Sequence, residues 1–276
     1  MLAGSRDEVG ISMIVSTSSD TTGDQAIEHV LILMAMRDEA TPVIEALNLA
    51  PLADALDPRL PMRCYRGSLG RLTITLGLAG VDERYDVDNV GSEAAAVLAL
   101  ETIRSYAPDL VISAGTAGGF ASRGANIATV YLSQSRFVFH DRHVPLDGFR
   151  ESAIGGYPAL DVSAMAQALA FPTGVISTGS SLEKSDRDLE VLGDNAAVAK
   201  EMEAAGIAWV AMLYGVPMLA VKSITNIVDQ NNQSETEFVR NFAYASASLT
   251  RGLCSVLRYL DGRRIGDLAA VAESAD

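Results

Sequence analysis

The sequence predicts an α/β fold, a single domain in which helices flank a central twisted mixed sheet. From about residue 29 onward, short apolar runs alternate with helical patterns, which is typical of strand–helix units. The runs are rich in Val, Ile and Leu and do not alternate with polar residues, so they indicate strands buried on both faces. A hydrophobic fraction of 49% over 276 residues supplies enough material for one large core.

The first half of the chain predicts three strands and two helices. Each of the first two apolar runs leads into a helical pattern, and Pro108 ends the second helix. The third strand runs into a glycine-rich turn. These elements are a strand at 29–36 (HVLILMAM), a helix at 38–49, a strand at 71–80 (RLTITLGLAG), a helix at 89–106 and a strand at 109–119 (DLVISAGTAGG).

The second half predicts further strands and a long closing helix. Apolar and β-branched residues indicate the strands, and a long amphipathic pattern indicates the last helix. At least part of the sheet is expected to be parallel. The elements are one or two β segments at 126–139, a strand at 174–182, a helix at 203–213, a strand at 216–226 and a helix over about 234–260.

These elements predict one domain over residues 28–265. The segment 1–27 contains charged residues and a Ser/Thr run without a long apolar stretch, so we expect a flexible leader. The short segment 266–276 is expected to be a C-terminal tail. Neither end is expected to carry chemistry.

Charge and cysteine content narrow the classes of function. With 21 basic and 35 acidic residues the net charge is −14, so we expect no nucleic-acid or anionic-membrane partner. Cys64 and Cys254 show no metal-like spacing, so neither a disulfide scaffold nor a zinc site is expected, and a reducing cytoplasm is the default. The three histidines and the dispersed carboxylates offer no metal-ligand spacing either, and no cofactor is expected. The uncharged run 204–221 is interrupted by Gly215 and Pro217 and predicts buried core.

Polar residues follow several of the predicted strands, where ligands bind in sheets of this class. Glu39 follows the first strand, the G-T-A-G-G run at 115–119 ends the third, and E-M-E at 201–203 opens a helix. Glycines there also serve tight turns, and acidic residues also suit a first helical turn. Neither a P-loop nor a dinucleotide-binding motif is present. Glu203 lies beside an apolar run, where a ribose diol would be a natural partner for its carboxylate.

Four segments in this order resemble the methylthioadenosine/S-adenosylhomocysteine nucleosidases, within the nucleoside phosphorylase superfamily. They are A-M-x-x-E after the first strand, G-T-A-G-G, E-M-E, and S-I-T-N-x-x-D at 223–229. The stretches F-H-D-R-H-V-P at 139–145 and I-S-T-G-S-S-L at 176–182 are most similar to the plant-type branch. The resemblance covers roughly residues 29–261.

The resemblance implies hydrolysis of the N-glycosidic bond of 5′-methylthioadenosine, or also S-adenosylhomocysteine, with release of adenine. Glu39 matches the general base for water, and Glu203 matches the residue that holds the ribose hydroxyls. It further implies a homodimer in which the 139–150 loop lies near the neighbouring active site, and a role in methionine salvage. The resemblance also implies a set of substrate-binding positions, although for some of them a purely structural role is an equal alternative. They are Thr116, Ala117, Gly118, Leu182, Glu183, Glu201, Met202, Lys222 and Thr225.

Asn226 departs from the family motif, which has an Asp that protonates purine N7. An amide donates a hydrogen bond but delivers no proton. Three hypotheses remain open: an introduced Asp-to-Asn substitution that impairs turnover, a native Asn that selects 6-oxopurines, and a nucleoside-binding relative without useful turnover. Ser180 is a second departure, since many members have Asp there.

Hydrolysis and phosphorolysis make different demands on the site. A phosphate co-substrate requires arginines at a glycine-rich loop, whereas hydrolysis requires a carboxylate that activates water. Glu39 favours water, while Arg37 and Arg84 remain candidates for an anion. A purine nucleoside phosphorylase is therefore the alternative enzyme.

Overall fold

The computed structural model describes residues 23–53, 56–230 and 234–269. Expectations for residues 1–22 and 270–276 lie outside the described residues. Within the described part, Ile27 is buried, and Ala26 forms an isolated β-bridge with Arg264. The Ile265 amide also donates to the Gln25 carbonyl at 2.9 Å. Residues 23–27 therefore pair with the segment that follows the last helix.

Helices and strands alternate over most of the described chain. The strands are β1 His29–Met34, β2 Ala50–Leu52, β3 Arg63–Leu69, β4 Leu72–Leu78, β5 Val81–Asp82, β6 Val87–Asp88, β7 Leu110–Gly119, β8 Val130–Phe139, β9 Gly155–Pro158, β10 Thr173–Thr178, β11 Ala197–Glu201 and β12 Met218–Ile227. The α-helices are α1 Arg37–Ala46, α2 Ser92–Tyr106, α3 Phe149–Ile154, α4 Ser163–Leu169, α5 Asp186–Asp194, α6 Ala204–Tyr214 and α7 Ser234–Leu260.

Ten of the described strands form one mixed sheet. Its order is β11-β10-β8-β12-β7-β1-β4-β3-β2, and β9 pairs with β8. The pairs β12–β7, β7–β1 and β1–β4 are parallel, while β8–β12 and β3–β4 are antiparallel. The carboxyl ends of β1, β7 and β12 therefore meet at one edge, where ligands bind in this class of fold.

A second pairing curls part of this sheet into a closed ring of strands. The end of β7 pairs antiparallel with β11, so that Lys200 lies opposite Gly118. On its other side Gly118 is the partner of Asn226 in β12. Because one glycine pairs with both strands, Asn226 and Lys200 flank the same stretch of backbone.

Two apolar clusters cover the two faces of the sheet. The long amphipathic helix α7 packs on β12 and β7 and contacts α1 and α4, and its side chains Leu249, Leu253 and Leu257 are fully buried. On the opposite face α2 packs against α6. Both faces of the central strands are thus buried, which explains their uninterrupted apolar sequences.

The predicted α/β fold with a mixed sheet is confirmed. The central strands and the helices α1, α2, α6 and α7 lie where the apolar patterns predict them, with ends differing by a few residues. The segment 126–139 forms the single strand β8 from Val130 onward. Nine of the strands and helices carry no prediction. They are the strands β2, β3, β5, β6, β9 and β11 and the helices α3, α4 and α5.

Candidate active site

A cavity of about 300 Å³ opens at the carboxyl ends of β1, β7 and β12. The junction between β11 and α6 closes one side, and the loop after β10 closes another. Its lining is mostly apolar, with a few convergent polar groups, as in many small-molecule sites. The polar and charged residues lining it include Glu39, Asn89, Ser113, Thr116, Lys184, Lys200, Glu201, Glu203, Thr225 and Asn226.

Glu39 is a buried carboxylate in the first turn of α1. It is 4% exposed, and one carboxylate oxygen accepts hydrogen bonds from the Thr116 amide at 2.9 Å and the Thr116 hydroxyl at 2.6 Å. A Cβ on Gly115 would lie 3.2 Å from the other oxygen, so glycine leaves that oxygen room. Burial raises the pKa of Glu39, although the Thr116 donors and Lys222 oppose the shift.

Glu201 and Lys222 form a buried ion pair between β11 and β12. The Lys222 ammonium lies 2.8 Å from a Glu201 oxygen, and both side chains are almost fully buried. Glu201 also accepts the Ala204 amide and the Thr178 hydroxyl. Burial opposes the charge on both groups, but each partner stabilises the other, so the pKa of Glu201 is lowered and that of Lys222 raised.

Glu203 reaches the cavity from the residue that precedes α6. It is half-buried, and its carboxylate accepts the Gly91 amide at 2.9 Å. Burial and the neighbouring Glu201 raise the pKa of Glu203 to about 7, against the opposing effects of Lys222 and the Gly91 bond. This carboxyl group therefore changes charge near neutral pH.

Asn226 packs on the backbone of Gly118 near the end of β12. Its side-chain oxygen accepts the Thr225 hydroxyl at 3.0 Å, while its amide nitrogen donates no hydrogen bond to a described residue. A Cβ on Gly118 would lie 3.0 Å from that nitrogen and 2.6 Å from a methyl group of Val228. The glycine thus leaves room for the Asn226 side chain, whose amide nitrogen is a free donor at the cavity.

Residues 181–184, which we call the wall segment, form part of the cavity wall. Two lysines hold this segment in place through hydrogen bonds. Lys200 donates to the carbonyls of Ser181 and Leu182, and Lys184 donates to the Val228 carbonyl. Burial lowers the pKa of Lys200, while nearby acidic groups, Asp188 first, oppose the shift. The wall segment is therefore held to both β11 and the end of β12.

A family model described as the phosphorylase superfamily matches residues 29–260. The chain belongs to the phosphorylase superfamily. Within it, the chain is 33% identical over 262 residues to a 5′-methylthioadenosine nucleosidase of Arabidopsis thaliana, covering 94% of this chain and 98% of that one. It is also 33% identical over 254 residues to an A. thaliana 5′-methylthioadenosine/S-adenosylhomocysteine nucleosidase, with coverage of 88% and 95%.

Solved structures share the fold of this chain. The apo structure of an A. thaliana 5′-methylthioadenosine nucleosidase gives a TM-score of 0.86 at 33% identity, covering 88% of this chain and all of that one. A futalosine hydrolase of Helicobacter pylori shares the fold at a TM-score of 0.70 and 22% identity, covering 84% of this chain and 98% of that one. The family resemblance seen in the motifs is therefore confirmed.

Most of the residues that the sequence predicts for the site lie together around the cavity. The cavity lining includes Glu39, Thr116, Ala117, Gly118, Leu182, Glu201, Met202, Glu203, Thr225 and Asn226. Lys222 lies behind the lining, where its ammonium pairs with Glu201. Glu183 is exposed and does not line the cavity.

Sequence reasoning missed two lysines at the cavity, Lys184 and Lys200. The chain contains three lysines among its 21 basic residues, and the third is Lys222. All three lie in or directly behind the cavity. All other basic residues of the chain are arginines. The restriction of lysine to this region was the sequence signal that could have revealed Lys184 and Lys200.

The histidines of the 139–145 motif lie outside the cavity lining. His140 is buried with its Nδ1 atom 3.0 Å from the Ser177 hydroxyl, and burial and Lys200 lower its pKa to about 4. His143 is 3.7 Å from an Asp188 oxygen. Further along the same loop, Leu146 and Phe149 are exposed.

The two arginines that were candidates for binding an anion form ion pairs outside the cavity. Arg37 pairs with Asp88 at 2.7 Å and Arg84 with Asp82 at 2.7 Å, and neither arginine lines the cavity. Among the described residues no group of His, Cys, Asp and Glu has an arrangement that could hold a metal ion. None of the described helices is both long enough and apolar enough to span a bilayer.

Proposed function

We propose that this chain hydrolyses the N-glycosidic bond of 5′-methylthioadenosine and releases adenine. The observation that carries the proposal is the convergence of Glu39, Glu203 and Asn226 on one cavity. Breaking this bond produces a cation-like sugar and an anionic base. Catalysis therefore requires acceptors around the sugar and donors around the base.

Glu39 is the group that activates water. Its raised pKa makes it a stronger base than an ordinary carboxylate, and Thr116 holds one of its oxygens in place. The other oxygen lies beside Gly115, where a water molecule below C1′ can donate to it. Glu39 takes a proton from this water as the water oxygen bonds to C1′.

Glu203 holds the sugar by its two ring hydroxyls. A carboxylate has acceptor capacity for both hydroxyl donors of a ribose diol, and the Gly91 amide fixes its orientation. The buried pair of Glu201 and Lys222 supports it from behind and is itself neutral overall. Met202, which lines the cavity, packs against the sugar.

Asn226 binds the purine through its free amide donor. An N–H aimed at purine N7 stabilises the electron density that moves onto the base, without transfer of a proton. Thr225 orients the amide by donating to its oxygen. The backbone of Gly118 and the side chain of Leu182 form the walls around the base.

The free donor of Asn226 also favours a second candidate, hydrolysis of 6-oxopurine nucleosides. N7 and O6 of such a base are adjacent acceptors, which an amide donor suits better than an ionised carboxylate does. Adenine carries an amino group in place of O6. Comparing the rates at which methylthioadenosine and its 6-oxo counterpart are hydrolysed decides between the two bases.

Water rather than phosphate is the proposed nucleophile. The two arginines considered for an anion pair with aspartates outside the cavity, whereas the buried carboxylate Glu39 is available inside it. An anionic co-substrate beside Glu39 would also be repelled when that group is ionised. The relatives of this chain are named as nucleosidases, which supports hydrolysis.

We further propose a homodimer formed through α2 and α6, in which the 139–150 loop approaches the neighbouring site. These packed helices expose apolar side chains, including Leu100, Trp209 and Leu213. The substitution Leu213→Glu should yield monomers in size-exclusion chromatography with light scattering. Val239→Glu, at a position on α7 that is exposed to a similar extent, should leave the mass unchanged.

The test of the function is adenine release from methylthioadenosine in phosphate-free buffer, with S-adenosylhomocysteine and methylthioinosine in parallel. Release of adenine and free methylthioribose without phosphate would support the proposal. Release only from methylthioinosine would favour the 6-oxopurine candidate. Release that requires phosphate would assign a phosphorylase, and tight binding without any release would make the protein a binder.

A further inference from the structure

Lys184 brings a positive charge to the part of the cavity that holds Asn226. Its ammonium donates to the Val228 carbonyl, two residues beyond Asn226, and Lys184 lines the cavity. Among the described residues no carboxylate oxygen lies within 4.0 Å of this ammonium, in contrast to Lys222 with its partner Glu201. The bonded carbonyl is neutral, so Lys184 keeps its charge without a direct ion pair to a described residue.

Charge is distributed unevenly around the cavity. Glu39 and Glu203 bring acceptors on one side, and the Glu201–Lys222 pair behind them cancels its own charge. Lys184 and Lys200 lie with Asn226 on the other side, and Lys200 is occupied by two carbonyls of the wall segment. The two lysines that line the cavity therefore lie on the side of Asn226, where the buried carboxylate of Glu237 accepts the Ile227 amide at 3.0 Å.

The arrangement matches the charge separation of the proposed reaction, on which this inference rests. The electron pair of the C1′–N9 bond leaves with the purine, and the sugar becomes positive. A fixed cation beside the purine lowers the energy of that state more than it lowers the energy of the neutral ground state. This effect acts on kcat rather than on substrate binding.

We propose that Lys184 is a catalytic residue that stabilises the departing purine anion and so compensates for the absence of an acid at Asn226. Lysine suits this role because its ammonium has three donors, of which one is used by Val228. The proton balance does not involve Lys184. Water gives its hydroxyl to C1′ and a proton to Glu39, the purine anion takes a proton from solvent, and Glu39 returns its proton to solvent.

The test compares Lys184→Gln with Lys184→Arg. Glutamine can still donate to the Val228 carbonyl but has no charge, so kcat for methylthioadenosine should fall about tenfold or more while its Kd changes less than about twofold. Arginine keeps the charge and should retain most of kcat. Arg187→Gln, which removes an exposed cation nearby, is the matched control and should have no effect.

Two further measurements separate charge stabilisation from a structural role. A 6-chloropurine analogue of the substrate leaves as a more stable anion, so Lys184→Gln should slow its hydrolysis less than it slows adenine release. In the background of Asn226→Asp, which restores a proton donor, the loss caused by Lys184→Gln should also become smaller. A purely structural role would raise Kd and affect both substrates and both backgrounds equally.

The outcomes distinguish this inference from the function on which it rests. If the unmodified chain releases adenine and the Lys184→Gln protein has an unchanged kcat, the proposed role of Lys184 is overturned but the hydrolase function is not. No release from either the unmodified chain or Asn226→Asp would overturn the hydrolase function and this role with it. Release by Asn226→Asp alone would show that Lys184 does not compensate for the missing acid.

Discussion

The Lys222 ammonium lies 2.8 Å from the Glu201 carboxylate, and the two side chains are 2% and 1% exposed. This pair joins β12 to β11 and supports the half-buried Glu203 next to it. Breaking it leaves a buried charge without a partner, so Lys222→Met should lower the free energy of unfolding by about 3–5 kcal/mol. Urea denaturation followed by circular dichroism measures this change.

Two comparisons check the interpretation of that pair. The double variant Glu201→Gln/Lys222→Met should be less destabilised than the single one, because no uncompensated charge remains. Breaking the exposed pair of Arg187 and Glu190, each 62% exposed, should cost no more than about 1 kcal/mol. Equal losses for the buried and exposed pairs would contradict the account.

Glu39→Gln should abolish most of the turnover of methylthioadenosine. Glutamine fills the same space and can retain an acceptor for Thr116, but it cannot take a proton from water, so kcat should fall about 10²–10⁴-fold. Glu45→Gln changes an exposed carboxyl on the same helix and serves as the control. Single-turnover adenine release measures both proteins, and full activity of the Glu39 variant would remove this residue from the mechanism.

The raised pKa of Glu203 predicts a pH-dependent affinity for substrate. Its pKa of about 7 means that the carboxyl is largely protonated at pH 6 and ionised at pH 8. The ionised form accepts both ribose hydroxyls, so KM should rise as the pH falls below about 7. KM measured from pH 5.5 to 8.5 should show this change, and Glu203→Gln should flatten the profile at a weaker affinity.

The same group predicts how stability without ligand depends on pH. Because the folded-state pKa of Glu203 lies above the ordinary carboxyl value, the folded protein binds the proton more tightly than the unfolded chain. Its contribution is fully present below about pH 4.5 and is lost as the pH rises to about 7. Glu203→Gln should remove this part of the pH dependence in thermal unfolding, whereas Glu45→Gln should retain it.

Gly118→Ala should damage the site more than the fold. The new methyl group would lie within 3.0 Å of both Asn226 and Val228, so Asn226 would have to move away from the base. We expect at least about a tenfold loss in kcat/KM with a destabilisation of about 1–3 kcal/mol. Gly193→Ala in α5 meets no atom within 4 Å and should leave both quantities nearly unchanged.

The sequence predicted those parts of the fold in which local pattern and tertiary burial agree. The buried strands β1, β7 and β12 are continuous apolar runs, and α7 shows a long amphipathic repeat. In contrast, β3 reads RCYRGSL, with no regular pattern, because it lies near the edge of the sheet. Its strand conformation comes from pairing with β4 rather than from its own sequence.

The site was predictable where a residue lies near the end of a strand or just beyond it. Glu39, in the first turn of the helix after β1, and Asn226, near the end of β12, are found this way because the neighbouring strand fixes where each residue lies. Lys200 reaches the cavity only because β11 pairs with the end of β7, and Lys184 because the wall segment folds back toward Val228. Both depend on contacts between distant parts of the chain, which a local pattern does not encode.

The scarcity of lysine gives this protein an unusual response to amine-reactive reagents. Of its three side-chain amines, Lys200 and Lys222 are buried, and Lys184 is more accessible at the edge of the cavity. An acylating reagent therefore has one favoured side-chain target within the described chain. The extent of Lys184 modification, measured by mass spectrometry, would report whether the cavity is occupied, since a bound nucleoside should protect that amine from the reagent.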